Sequence, residues 1–182
     1  MNLWHDVELG NDVPKIINVI VEIPKGAQNK YEYDKSLNII KLDRVLFSPF
    51  HYPGDYGFLP RTLSADGDPL DALVLVTNPT YPGILIKARP VGMLRMSDVG
   101  KIDDKILCVS NDDPRFNEYK DISDLEEHLL KEITHFFKVY KELEQKAVRM
   151  IGWKNSKEAK KIIMECVKSY NKKYGSRKSS NE

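Results

Sequence analysis

Cysteine is nearly absent from this chain. Cys108 and Cys166 are far apart and outside any CxxC, so neither a disulfide framework nor a zinc site is indicated. Apolar runs are short: none approaches the roughly 18 residues of a membrane helix, and no basic segment leads into an apolar one at the start. The expectation is a cytoplasmic protein with no membrane partner. A phosphate loop of the form GxxxxGK followed by Ser or Thr is missing, which disfavours a nucleoside triphosphate as substrate. Repeats and low-complexity blocks are absent too, apart from the polar end Gly175–Glu182, which is expected to be disordered. Residues 1–174 are read as one domain, because 182 residues allow one sizeable core and do not suggest two. Net charge is only +1, but it is unevenly spread. From Met150 onward nine Lys/Arg face three Glu, which leaves +6 there and −5 over residues 1–149. A basic end can touch nucleic acid, yet it is more often the solvated face of a helix. The acidic body favours metal, and no nucleic-acid partner is expected.

What is present reads as mainly β with α. Ile17, Val19, Val21 and Ile23 alternate with Asn18, Ile20 and Glu22, the period of a strand. Lys30-Tyr31-Glu32-Tyr33 alternates as well, and Asp34-Lys35-Ser36 is a turn into Leu37–Leu42. Further strands are expected at 72–77, 84–96 and 105–110, a spacing that suggests a small barrel or sandwich. The last third is helical. Ser123-Asp124-Leu125-Glu126 fits a capping box, and Leu125, Leu129, Ile133, Phe136, Tyr140, Leu143 and Ala147 then recur on one helix face. A second helix is expected from Asn155, with Ala159, Ile162, Ile163, Cys166, Val167 and Tyr170 inward.

Chemistry concentrates in Asp66-Gly67-Asp68-Pro69-Leu70-Asp71, three carboxylates in six residues ahead of the apolar run Ala72–Val76. Carboxylates this close repel one another in a folded protein unless a cation sits between them. A hard divalent ion such as Mg²⁺ takes oxygen ligands and keeps waters that a phosphate can share. The bland reading is a plain turn, for which Asp, Gly and Pro are ordinary residues. An EF-hand is excluded, because Asp71 stands where its glycine belongs and Thr77 where its bidentate Glu belongs. An aspartyl-phosphate enzyme is disfavoured, since the apolar run follows the acids instead of preceding them.

Other polar residues fall at strand spacing. Lys30 and Glu32 share one face, as do Asp103 and Lys105, with Asp98 ending the preceding strand. Tyr52-Pro53-Gly54-Asp55-Tyr56-Gly57 supplies two phenols held by a proline and two glycines. Taken singly, such a Lys/Glu pair reads as a solvated face, and Tyr140 on the helix stripe reads as core.

Together with Glu22-Ile23-Pro24-Lys25-Gly26, Phe58 and Tyr140-Lys141, these segments closely resemble the soluble family I inorganic pyrophosphatases of prokaryotic type. The likeness runs from about residue 5 to residue 170, and its D-G-D-P-L-D element is highly specific. The resemblance implies an OB-like five-stranded β-barrel with two principal C-terminal helices, several Mg²⁺ ions per site, pyrophosphate as substrate and a homohexamer. It implies that Asp66, Asp71 and Asp103 are ligands of a tight Mg²⁺ site, and that Asp98 and Glu22 hold further ions directly or through water. Glu32 lies in the same acidic cavity by that likeness. Lys30, Arg44, Tyr56, Lys105, Tyr140 and Lys141 correspond to groups on pyrophosphate, Asp68 to the general base and Tyr52 to a neighbour of it. One departure is visible. The loop reads Asp98-Val99-Gly100-Lys101-Ile102-Asp103-Asp104, with its glycine shifted by one and two adjacent acids; Asp103 keeps the spacing and is assigned as ligand.

Seven acids against Lys30, Arg44, Lys105 and Lys141 leave this constellation at −3. A pyrophosphate anion would be repelled until two or more Mg²⁺ reversed the sign. The rivals are a different Mg-dependent phosphohydrolase, acting on nucleotides, and an OB-type nucleic-acid-binding module.

Overall fold

The computed structural model describes residues 1–175. The polar end expected from Gly175 onward lies, that glycine aside, outside the described residues. Strand β1 (Ile17–Ile23) buries Ile17, Val19 and Val21 in one cluster, while Ile20 enters another beside Trp4 and Phe58. Strands β2 (Asn29–Asp34) and β3 (Ile39–Val45) form a separate hairpin. Its turn is built by Asp34, whose Oδ1 accepts from the N–H groups of Ser36 (2.9 Å) and Leu37 (3.1 Å).

The remaining strands are β4 (Asp55–Leu59), β5 (Leu70–Leu75), β6 (Leu85–Asp98), β7 (Lys101–Ser110) and β8 (Val148–Asn155). They join β1 in the order β1-β4-β5-β7-β6-β8, and β1 also pairs with β6. That extra pairing closes β1-β4-β5-β7-β6 into a ring, the OB-like barrel, with β8 outside it. Strand β6 is long because it serves two partners on one edge. β1 pairs with Leu85–Ala88 and β8 with Gly92–Asp98. Pro90, with no N–H to donate, stands at the changeover beside a bulge.

Two of these strands are absent from the sequence reading. All five residues of β4 are buried, so it shows no alternation, and Gly57 sits in its middle. That glycine is required by close approach: a Cβ there would collide with the Ile20 carbonyl of β1. Gly57→Ala is expected to cost at least about 2 kcal/mol, because backbone has to move. A urea midpoint equal to the wild type's would mean that β1 can yield at this point.

The helical stripe also needs correction. Helix α1 spans Glu127–Val139, Tyr140 is its C-cap, and the chain beyond runs through a 3₁₀ turn at Glu142–Glu144 into β8. Leu143, expected inward, is 62% exposed. Gln145 adopts a left-handed φ of 57° and ends any helical continuation. The capping box forms earlier than expected, between Asp121 and Asp124 of the 3₁₀ turn Ile122–Asp124, because Leu125 leaves the helix in extended conformation and is buried. Glu126 is the N-cap of α1 and makes no side-chain cap. Helix α2 (Ser156–Tyr174) starts where expected, with Asn155 accepting from the Glu158 N–H at 3.0 Å. Its Ala159, Ile163 and Cys166 pack on the barrel, and α1 packs on the opposite cluster through Ile133, Phe136 and Phe137.

Candidate active site

A cavity of about 350 Å³ opens between the β2–β3 hairpin and the barrel. Every residue singled out in the sequence lines it except Arg44 and Tyr52. Strand register explains the gathering. β5 and β7 run parallel with Asp71 beside Lys105, and Asp103 lies two residues before Lys105 on the same face. Asp104 therefore faces the other way, where both its oxygens bind Arg95 (2.9 and 2.8 Å). The choice of Asp103 over Asp104 as the cavity residue follows from that alternation. The β6–β7 connection is a two-residue turn, Val99-Gly100, both at positive φ (47° and 82°), which places Asp98 opposite Lys101.

Lysines are threaded among the carboxylates. Lys105, 4% exposed, binds Asp71 and Asp103, the latter at 2.6 Å. Lys141 binds Asp98, Lys30 binds Glu32, and Lys35 binds Asp68. Tyr56 donates to Asp71 at 2.7 Å, and the Tyr33 N–H donates to Glu22 at 2.7 Å. The Asp68 N–H donates to Asp66 Oδ1 at 3.0 Å, which ties the acidic turn together.

Burial and these partners set the charge states. Burial pushes Glu22 up to about 8, against the pull of the Tyr33 N–H. It raises Asp103 as well, with Lys105 opposing. Burial acts against the ammonium of Lys105, but Asp71 and Asp103 outweigh it and hold the pKa above the ordinary lysine value. Burial depresses Lys30, and Arg44 adds to the effect. Lys30 and Arg44 are cross-strand partners in the hairpin. Two cations side by side repel unless an anion joins them, and here Asp43 lies near both. Arg44 itself turns from the cavity to Glu144, with two bonds of 2.8 Å.

Tyr140 belongs to the core and to the cavity wall at once. Its ring stacks on Phe136 at 5.3 Å and is 4% exposed, yet it also lines the cavity. Tyr52 packs behind the wall, against Tyr56 (5.5 Å) and Phe136 (4.9 Å). Tyr140→Phe keeps that packing and is expected to leave the thermal midpoint nearly unchanged while lowering kcat/KM roughly tenfold. Unchanged kinetics would return Tyr140 to a purely core role.

Among the described residues no three carboxylates converge into a ready-made metal cluster, because ammonium groups lie between them. The donor set nevertheless fits a hard cation. It is all oxygen, and Asp98 Oδ1 is buried with no hydrogen-bond partner among the described residues.

This geometry can be set beside known proteins. The family model described as Inorganic pyrophosphatase matches residues 19–171. The chain belongs to the inorganic pyrophosphatase family. An inorganic pyrophosphatase of Synechocystis is 53% identical over 155 residues, 85% of this chain and 92% of the relative. One from Geobacillus stearothermophilus is 52% identical over 157 residues, 86% of this chain and 95% of its own. The crystal structure of the Thermus thermophilus inorganic pyrophosphatase superposes with a TM-score of 0.91 at 43% identity, covering 94% of this chain and 99% of that one.

The sequence reading of this family member missed some of the wall. Tyr31, Tyr33, Phe58 and Pro69 line the cavity, and Glu144 stands behind Arg44. Lys35 is the more consequential omission. As the middle of a turn it carries no periodic signal, and only the folded hairpin brings it to Asp68.

Proposed function

We propose that this chain hydrolyses inorganic pyrophosphate to two orthophosphates. The observation that carries the reading is a cavity in which Glu22, Glu32, Asp66, Asp68, Asp71, Asp98 and Asp103 interleave with four lysines. Such a wall rejects an anion unless cations come with it, which fits divalent-metal dependence. We take the cation to be Mg²⁺, several per site, with Asp66, Asp71 and Asp103 as tight ligands and Asp98 and Glu22 as holders of further ions. A divalent ion bound by these oxygens would neutralise phosphate charge and make water a better nucleophile.

The chain's own groups then act as follows. Lys30, Arg44, Tyr56, Lys105, Tyr140 and Lys141 hold the two phosphates, with Arg44 leaving Glu144 to do so. Water attacks one phosphorus in line, and Asp68 takes its proton. The bridging P–O bond breaks on the far side, and the cationic side chains neutralise the departing phosphate. Tyr52 supports the wall from behind Tyr56.

The reading extends to location and assembly. Among the described residues no helix is long and apolar enough to cross a membrane. We place the protein in the cytoplasm. We also propose a homohexamer, supported by exposed apolar groups on the hairpin (Leu37, Ile39, Leu42, Val45) and at Tyr81, Ile84 and Leu85. Light scattering should give six times the 21.0 kDa chain mass. A monomer in dilute buffer would refute the assembly.

The decisive assay is phosphate release from pyrophosphate, ATP and a simple phosphomonoester, each with Mg²⁺ and with excess EDTA. Release from pyrophosphate alone, and only with metal, is the expected result. Preference for ATP would assign a nucleotide hydrolase instead, and full activity in EDTA would end the metal-dependent mechanism.

A further inference from the structure

Among the described residues that line the cavity, one cation has no task in the reading above. Lys35 sits at the tip of the β2–β3 hairpin, lines the cavity and pairs with Asp68. Its position is built from several directions. Asp34 fixes the turn through the N–H groups of Ser36 and Leu37, and Asn38 on the far side bonds Asn2 (2.7 Å) and the Tyr33 hydroxyl (2.8 Å). The Lys35 ammonium lies 5.4 Å from the centre of the Trp4 ring. Trp4 is 4% exposed and anchored by its indole N–H to the Thr62 carbonyl at 2.8 Å. An aromatic face at this distance attracts a cation without neutralising it. The ammonium is therefore held at the mouth.

The other three lysines lie deeper. Lys105, Lys141 and Lys30 have side chains 4%, 13% and 15% exposed, against 44% for Lys35. An incoming anion meets Lys35 first. Its partner also differs: Lys105 and Lys141 pair with carboxylates read as metal ligands, whereas Lys35 pairs with the carboxylate read as the base. While that pair holds, the Asp68 oxygen facing Lys35 is occupied and poorly placed to take a proton from water. A phosphate group carries more charge than one exposed carboxylate and competes well for the ammonium.

We propose that Lys35 is a substrate-binding residue that moves from Asp68 to a phosphate of the entering pyrophosphate and so frees Asp68 as the base. The hairpin backbone stays in place, and the flexible four-carbon stem makes the exchange. The device links base availability to the presence of the anion. It rests on the assignment of Asp68 and of pyrophosphate made above.

The test uses the full chain and three variants, Lys35→Ala, Lys35→Met and Lys35→Arg, with two readouts. One is the split between KM and kcat for pyrophosphate at saturating Mg²⁺. The other is calorimetric binding of imidodiphosphate, a non-hydrolysable analogue. Removing the ammonium should raise both KM and the analogue's Kd about tenfold, with kcat changed less than about threefold, as expected for one exposed charge-assisted contact. Lys35→Arg, which keeps the charge, should recover most of the affinity. Equal analogue affinity in wild type and Lys35→Ala would overturn the proposal. So would a fall in kcat at unchanged affinity, which would make Lys35 a group that only positions Asp68. A wild-type protein inert toward pyrophosphate would instead defeat the functional reading, and the binding arm would still report on Lys35.

Discussion

Asp68→Asn is expected to lower kcat by about 10²–10⁴, the typical contribution of a positioned base, and to leave the Mg²⁺ concentration needed for activity near that of wild type. Asparagine keeps the size of the side chain but cannot take the proton from the attacking water. Among the described residues Asp68 pairs with exposed Lys35 and reaches no buried partner by its side chain, so folding should be little affected. Raising the pH should recover part of the rate as solvent takes over the proton. Asp71→Asn, three residues on, should behave differently. Asp71 accepts from Tyr56 and Lys105 inside the cavity and is read as a ligand, so its loss should raise the Mg²⁺ requirement and respond to added Mg²⁺. Activity assays over a Mg²⁺ series separate the two. Rescue of Asp68→Asn by excess Mg²⁺ would make Asp68 a ligand and place the base elsewhere.

Lys105→Met is expected to destabilise the metal-free protein by about 3 kcal/mol or more, because it strips one buried charge from a group of three. Asp71 and Asp103 would then face each other in the wall with no cation between them. The expected sign with metal is the opposite of a simple core defect. Mg²⁺ should raise the thermal midpoint of the variant more than that of the wild type, since it supplies the missing charge. kcat/KM should still fall by 10² or more, because a divalent ion in that place does not replace a lysine on a phosphate oxygen. Thermal melts with and without Mg²⁺, beside steady-state kinetics, check both statements. Equal Mg²⁺-induced shifts in the two proteins would mean that the carboxylates around Lys105 are not a cation site.

Period and spacing carry a reading well where they report on local geometry. Ile17–Ile23 alternates because one side of β1 is core, and Asn155 caps α2 because its side chain reaches an N–H three residues on. Both were legible. β4 was not, because a strand buried on both faces has no alternation to show. β8 was hidden because Leu143 and Ala147 happen to continue the helical spacing of α1. The chain leaves that helix for tertiary reasons: Lys141 is drawn to Asp98 and Glu144 to Arg44, and these two ion pairs hold the segment after Tyr140 in a 3₁₀ turn.

The acidic turn and its need for a neutralising cation were legible in the sequence alone, because side-chain type dictates which charges must be neutralised. The cationic and phenolic residues around it were named only through the family resemblance, and without Lys35. The tertiary structure decided which of them meet. Parallel register between β5 and β7 sets Lys105 between Asp71 and Asp103, and strand alternation turns Asp104 away to Arg95. The placement of the hairpin against the barrel brings Lys35 to Asp68 and leaves Arg44 on Glu144. No composition or period encodes those distances. They arise from contacts between residues far apart in the chain, whose separation is set only when the barrel closes.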